Sequence, residues 1–228
     1  MKKLNSEMFR KFGIAALTAA VFVCTPACNK DDDDNGGSPV SSINATVENG
    51  ASYNSKVDSV KAPTYNGKWV IIAKGKYAEG KFQMDLPATV PAECLRTMFD
   101  MAGVNVSNKN VKRFTIPQFS AYKEGKAIGY FSYTNADKTV EVLYWFVDAD
   151  VTVKGSHTED DGDTENYDLN LKKGWNEVYY TWTESKDGID TGSYSNSKPS
   201  GLKWFFYEPE NYSPKGNPAR ASKAFLKK

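Results

Sequence analysis

Cysteine is scarce in this chain: three in 228 residues, at Cys24, Cys28 and Cys94. A chain processed at Cys28 keeps only Cys94 beside it, so an intramolecular disulfide framework is excluded and stability must come from a packed core. Histidine is scarcer still, with His157 alone. A zinc site would then have to be built largely from carboxylates, against the usual preference of that metal. Charge of one sign is missing too. Lys and Arg number 29 against 28 Asp and Glu, for a formal net charge of +1, which gives no electrostatic case for nucleic acid. Finally, no long hydrophobic run exists. The longest, Phe12 to Val23, is about a dozen residues, short of the roughly 20 that cross a bilayer as a helix.

That run is nevertheless informative. Lys2, Lys3, Arg10 and Lys11 make a basic region before or at its start, and Ala27 places a small residue before Cys28, as a signal peptide over residues 1–27 requires. The pattern resembles the bacterial lipobox, departing from it at Thr25 and Pro26, where Leu and a small residue are usual. Cys24 is the rival cysteine, but it follows Val23, a poor cleavage residue. Ordinary secretory cleavage near Ala27 is the other reading. Asp31 to Asp34 are four adjacent carboxylates that stay solvated. A cysteine, a short spacer and such a tract resemble the export signal of Bacteroidetes surface-exposed lipoproteins; a plain acidic spacer is the alternative. The resemblance covers only about the first 34 residues. It implies acylation of Cys28 (diacylglyceryl with palmitate-type chains), anchoring in the outer membrane by lipid rather than by a helix, and exposure to the exterior. Removing Lys2, Lys3, Arg10, Lys11 and Glu7 with the signal peptide takes the net charge from +1 to −2.

Residues 28–42 read as an acidic linker, with Asn35-Gly36-Gly37-Ser38-Pro39 its least structured part. From Ile43 onward short alternating runs are separated by turn dipeptides, among them Asn49-Gly50, Asn66-Gly67 and Glu124-Gly125. Phe82-Gln83-Met84-Asp85-Leu86 is a half-buried strand by its period of two. Val140–Val147 is apolar on both faces after Glu141 and is expected to be the central strand. Residues 91–102 are the one helical candidate: Pro91 starts it, Gly103 stops it, and Cys94, Leu95, Met98 and Met101 form its buried stripe. A tight hairpin is expected between Leu171 and Trp175, and a long polar loop from Ser185 to Ser200. The expectation is an all-β domain over residues 43–207, a β-sandwich or partly closed barrel with one short helix. Two smaller β domains meeting near residues 135–138 are the alternative. Residues 208–228 read as a largely disordered tail.

Chemistry is weakly signalled. A Cys94–His157 nucleophile and base lacks any surrounding signature, and a thiol on an apolar stripe is usually inert packing. The Glu159–Asp163 loop could offer oxygens to Ca²⁺. Setting Gly162 at the invariant glycine of an EF-hand, however, puts His157 at the first ligand position and Asp168 where the bidentate Glu belongs, so a solvated hairpin tip is the default. No carboxylate pair for glycoside hydrolysis can be picked out. No metal and no cofactor is therefore expected. Asp58-Ser59-Val60 resembles the Bacteroidetes O-glycosylation motif, which makes Ser59 a candidate. Aromatics crowd the last third. Exposed rings would give platforms for sugars or a protein partner, although a core role for most of them is the default. Trp182, beside the long loop, is the candidate ligand-binding ring, while Trp175 and Trp204 are expected in the core. The chain thus reads as a non-catalytic surface lipoprotein for binding or adhesion, with glycan capture as one form. A structural or accessory envelope component without a ligand is the rival reading. Membrane contact is through the N-terminal lipid, with a glycan or an envelope protein as partner and no nucleic acid. Cys28→Ala is expected to abolish acyl labelling and release the protein from membranes; labelling that survives there and disappears in Cys24→Ala would assign the lipid to the other cysteine.

Overall fold

The structure is a computed structural model that describes residues 39–116, 118–185 and 189–208. The signal segment, Cys28, the Asp31–Asp34 tract and the expected tail beyond residue 208 lie outside the described residues. By their contacts the described residues belong to one compact unit, and the turn at residues 135–138 falls inside it. No helix among the described residues is long and apolar enough to cross a membrane.

Fifteen strands form among the described residues. They are β1 (Ser42–Thr46), β2 (Ser59–Tyr65), β3 (Trp69–Ala78), β4 (Lys81–Asp85), β5 (Arg96–Thr97), β6 (Val104–Val106), β7 (Lys112–Thr115) and β8 (Phe119–Lys123), then β9 (Lys126–Thr134), β10 (Val140–Val147), β11 (Val151–Thr158), β12 (Thr164–Leu171), β13 (Gly174–Glu184), β14 (Asp190–Ser195) and β15 (Lys203–Tyr207). They make one large, mostly antiparallel sheet that is not closed into a barrel, an all-β, sandwich-like fold. Its path runs β1-β4-β3-β2-β8-β9-β10-β13-β14-β12-β11-β6, with β15 on β9, β7 on β10 and β5 on β7. Just past β1, Val47 makes a lone parallel bridge to Trp204, which draws β15 towards the opposite edge.

Local chemistry explains the tight turns. Glu79-Gly80 and Glu124-Gly125 have positive φ at both residues, the geometry that two-residue hairpins need to match strand twist. Asn135 closes the β9–β10 turn differently: its side-chain oxygen accepts from the Thr139 and Val140 N–H groups at 2.9 and 3.1 Å.

β10 is central, as its apolar run predicts. It pairs with β13 along its whole length and with β7 and β9 on its other edge. Alternation then sends its side chains to two cores. Val142, Tyr144 and Phe146 join Trp175 and Tyr179 of β13 in the first core, with Phe119, Phe131 and Trp204. Trp145 and Val147 join Val178 of β13 in the second core, with Leu169, Leu171 and Tyr194. Most of the late aromatics are therefore core, Trp175 and Trp204 included.

Three local expectations change. The helix expected over 91–102 shrinks to a single 3-10 turn, Ala92–Cys94, followed by extended chain. The stripe fails because its members serve different cores: Cys94 belongs to the first and Met98 to the second. One helix face cannot reach both. The hairpin expected between Leu171 and Trp175 does not form, because β14 lies between β12 and β13 and pairs with both. Fully buried Asn176 shapes that connection. Its oxygen accepts from the Lys172 N–H at 2.9 Å, and its nitrogen donates to the Lys172 and Gly174 carbonyls at 2.7 and 3.1 Å. Lastly, the polar segment Ser185–Ser200 contains β14, whose inward residues are only Gly192 and Tyr194. Asn176→Ala should lower stability by on the order of 3 kcal/mol, because it strands buried backbone groups; urea unfolding checks this, and an unchanged midpoint would show that the connection holds without the side chain.

Candidate functional site

The exposed rings are not where the late aromatics suggest. Trp69 is 72% exposed, Tyr65 63% and Ile71 44%. All three belong to the β2–β3 hairpin, where Tyr65 pairs with Trp69 and Pro63 with Ile71. The register slips between Ala62 and Pro63, where Pro63 brings no N–H to the ladder. This bulge lets Ile72 and Ala73 both turn inward. Trp69 and Ile71 are thereby left facing solvent on one side of it, and Lys74 and Lys76 on the other.

The tip is braced from outside the hairpin. Asn66 donates its side-chain N–H to the Glu93 carbonyl at 2.6 Å, and Arg96 donates to the Asn66 side-chain oxygen at 3.1 Å. Gly67 takes φ of 72° in the turn. The two rings meet edge-on, with centroids 5.5 Å apart and planes 67° apart, and so form two walls of a corner. A corner of this kind offers one ring face for stacking and a second for lateral apolar contact, with little ordering left to lose on binding.

No family model, curated protein or solved structure matches this chain. The site therefore has to be read from its own chemistry.

Trp182, the candidate ring beside the polar segment, lies at the far end of β13. It is half-buried opposite Gly192 of β14, and its indole N–H donates to the Lys138 carbonyl at 3.1 Å. The ring ties the end of β13 to the β9–β10 turn. Trp175 is buried and donates to the Pro87 carbonyl at 2.8 Å. Ser59 lies within β2 between β3 and β8, with its hydroxyl donating to Asp58 at 2.7 Å. Cys28 lies outside the described residues.

The remaining candidates are dispersed. Cys94 is buried beside the first core, and burial, followed by the nearby Glu93 carboxylate, pushes its thiol pKa up. His157 lies on β11 in the other half of the sheet, its ring nitrogen 3.0 Å from the Ala102 carbonyl. Glu159–Asp163 forms the tip of the β11–β12 hairpin, where the Glu159 N–H donates to the Asp163 carbonyl at 2.8 Å and Asp163 caps the Asp190 N–H at 2.9 Å. Among the described residues no three His, Cys, Asp or Glu side chains converge to hold a metal ion.

Two carboxyls sit at one end of the second core. Glu165 accepts from the Tyr167 hydroxyl and, at 3.5 Å, from that of Tyr194. Glu141 accepts from Ser132 at 3.3 Å. Burial raises both carboxyl pKa values and outweighs those hydrogen bonds. In the same core the Arg113 guanidinium lies 5.4 and 5.8 Å from the Phe99 and Trp145 ring centres, and burial lowers its pKa to about 10.

The sequence does not single out Trp69, because Trp69-Val70-Ile71-Ile72 is apolar at every position and offers no alternation to mark a solvent face. The available signal was Pro63, which marks a bulge, together with two aromatics flanking Asn66-Gly67. Trp69→Ala should change unfolding free energy by no more than about 0.5 kcal/mol, whereas Trp175→Ala should cost about 3–5 kcal/mol; equal losses in urea titrations would mean Trp69 is packed after all. A raised carboxyl pKa in the fold means that stability is fully present below the unfolded value of about 4.3 and is lost as pH rises through the folded value. Glu141→Gln should therefore be more stable than the parent at pH about 7 and equal to it at pH about 4; a less stable variant at neutral pH would contradict the burial argument.

Proposed function

We propose that this chain is a non-catalytic binding lipoprotein, acylated at Cys28, displayed on the outer face of the outer membrane, and working through the Tyr65–Trp69 hairpin tip. The location rests on the sequence of residues 1–34. The binding role rests on one observation: the two most exposed large rings among the described residues share one tip, and that tip is held by Asn66, Glu93 and Arg96. Folding alone gives no reason to brace an indole in water, since exposed apolar surface adds nothing to the core and carries an aggregation risk. A carbohydrate partner suits the geometry. Sugar faces stack on indole and phenol rings, and a perpendicular second ring limits the orientations that fit.

Two measurements test this reading. Protease added to whole cells should cleave the intact protein, and replacing Asp31 to Asp34 with Ala should protect it while leaving acylation in place. On a glycan array the mature protein should bind, and the double variant Tyr65→Ala with Trp69→Ala should lose at least about tenfold in affinity, comparable to removing an anchor residue from an interface. Trp182→Ala, with its indole engaged in the fold, should keep binding. A double variant that binds as well as the parent would move the site elsewhere, with the β13–β14 end around Trp182 next in line.

A further inference from the structure

The aromatic tip does not stand alone on its face of the sheet. Beyond the bulge, Lys74 and Lys76 of β3 point the same way as Trp69 and Ile71, and Lys61 of β2 lies opposite Lys74. Lys74 and Lys76 are exposed, and neither is ion-paired with a carboxylate among the described residues. Lys61 rests over the Tyr122 ring of β8, 4.0 Å from its centre, which fixes its ammonium on the face. Two carboxylates lie on this side of the sheet as well: Asp85 of the neighbouring β4, and Asp58, which accepts from the Ser59 hydroxyl and acts on Lys61; Lys81 of β4 adds a further ammonium group. Positive charge therefore exceeds negative along a strip that begins in apolar rings.

We propose, resting on the binding role above, that this strip takes an extended polyanionic glycan: a polymer whose sugar faces stack on Tyr65 and Trp69 and whose carboxylate or sulfate groups lie along Lys61, Lys74 and Lys76. Length favours this partner over a lipid surface. Trp69 and Lys76 are seven residues apart, roughly 23 Å at strand rise. The Debye length at physiological salt is about 8 Å. A bilayer met by the tip would leave Lys76 screened and idle, whereas a linear polymer lying along the ribbon meets both ends. Side-chain type points the same way. Lysine carries a mobile, strongly hydrated point charge that suits anions at irregular positions, while fixed bidentate recognition would call for arginine. A neutral polymer would use the rings and leave the Lys74 and Lys76 ammonium groups without a role.

The test is titration of the full mature protein with polygalacturonate and heparin as anionic probes, dextran and xylan as neutral ones, polyglutamate, and phosphatidylglycerol vesicles. Binding to an anionic polysaccharide is expected, weakening about tenfold between about 0.05 M and about 0.5 M salt as the lysine charges are screened. The double variant Lys74→Gln with Lys76→Gln should lose about tenfold for the anionic polymer and keep the parent's urea midpoint; Trp69→Ala should weaken it as well, which pure charge attraction would not produce. Neutral polymers bound as tightly as anionic ones, with the lysine variant silent, would overturn the polyanion while leaving the binding role intact. Vesicles or polyglutamate bound in place of polysaccharide would overturn it in favour of a membrane or an acidic protein. Indifference of every probe to Trp69→Ala would remove both this inference and the reading it rests on.

Discussion

Everything in this fold depends on one pair of strands being wet on neither face. β10 and β13 run together through eight paired positions, from Val140 with Thr181 to Val147 with Gly174. Phe146 and Trp175 face one core while Trp145 and Val178 face the other. A single sheet with one buried face would not need this. With no disulfide among the described residues, each core is closed by apolar area, and a shared wall lets two modest cores stabilise each other. The peripheral strands follow from that requirement. β15 comes back to seal the first core with Trp204 and Phe206, and β14 slots between β13 and β12 to place Tyr194 in the second.

The same requirement separates residues held for the fold from residues left over. Rings such as Tyr167 and Tyr194 stack 4.8 Å apart in the second core, and Tyr144 and Tyr179 both donate to Glu177. Their hydroxyls and faces are occupied. Trp69 and Tyr65 occupy neither core, and the bulge at Pro63 is what keeps them out while Ile72 and Ala73 go in. A bulge at that place serves the surface more than the core, which is why the hairpin tip carries the functional argument.

Much of this architecture was legible because its signals are local. Glu124-Gly125 and Asn66-Gly67 mark hairpins through the backbone conformations they permit, and Val140–Val147 announces two buried faces by lacking a polar one. What was illegible is what depends on partners distant in sequence. Cys94 and Met98 looked like one helical stripe because both are apolar and four residues apart; only the existence of two cores sends them apart. β14 was hidden by having a single large inward side chain, Tyr194, and by pairing in parallel with β12, an arrangement that no turn signal reports. The contact of the Trp182 indole N–H with the Lys138 carbonyl across the β9–β10 turn is likewise a pairing between distant segments that the sequence does not show. The site was missed for a related reason: a one-residue slip in register reverses which face a side chain joins, and sequence alternation alone does not locate the slip.

On the function proposed above, the two-faced β10–β13 pair bears the stability while the β2–β3 ribbon stays open for a ligand. Amide hydrogen exchange on the mature protein, with and without polygalacturonate, addresses both halves at once. The slowest amides should lie in β10 and β13 in either state, and added ligand should slow exchange along β2–β3 from Tyr65 to Lys76 and little elsewhere. Slowest exchange outside β10 and β13, or ligand protection centred on Trp182 and β14, would contradict the account.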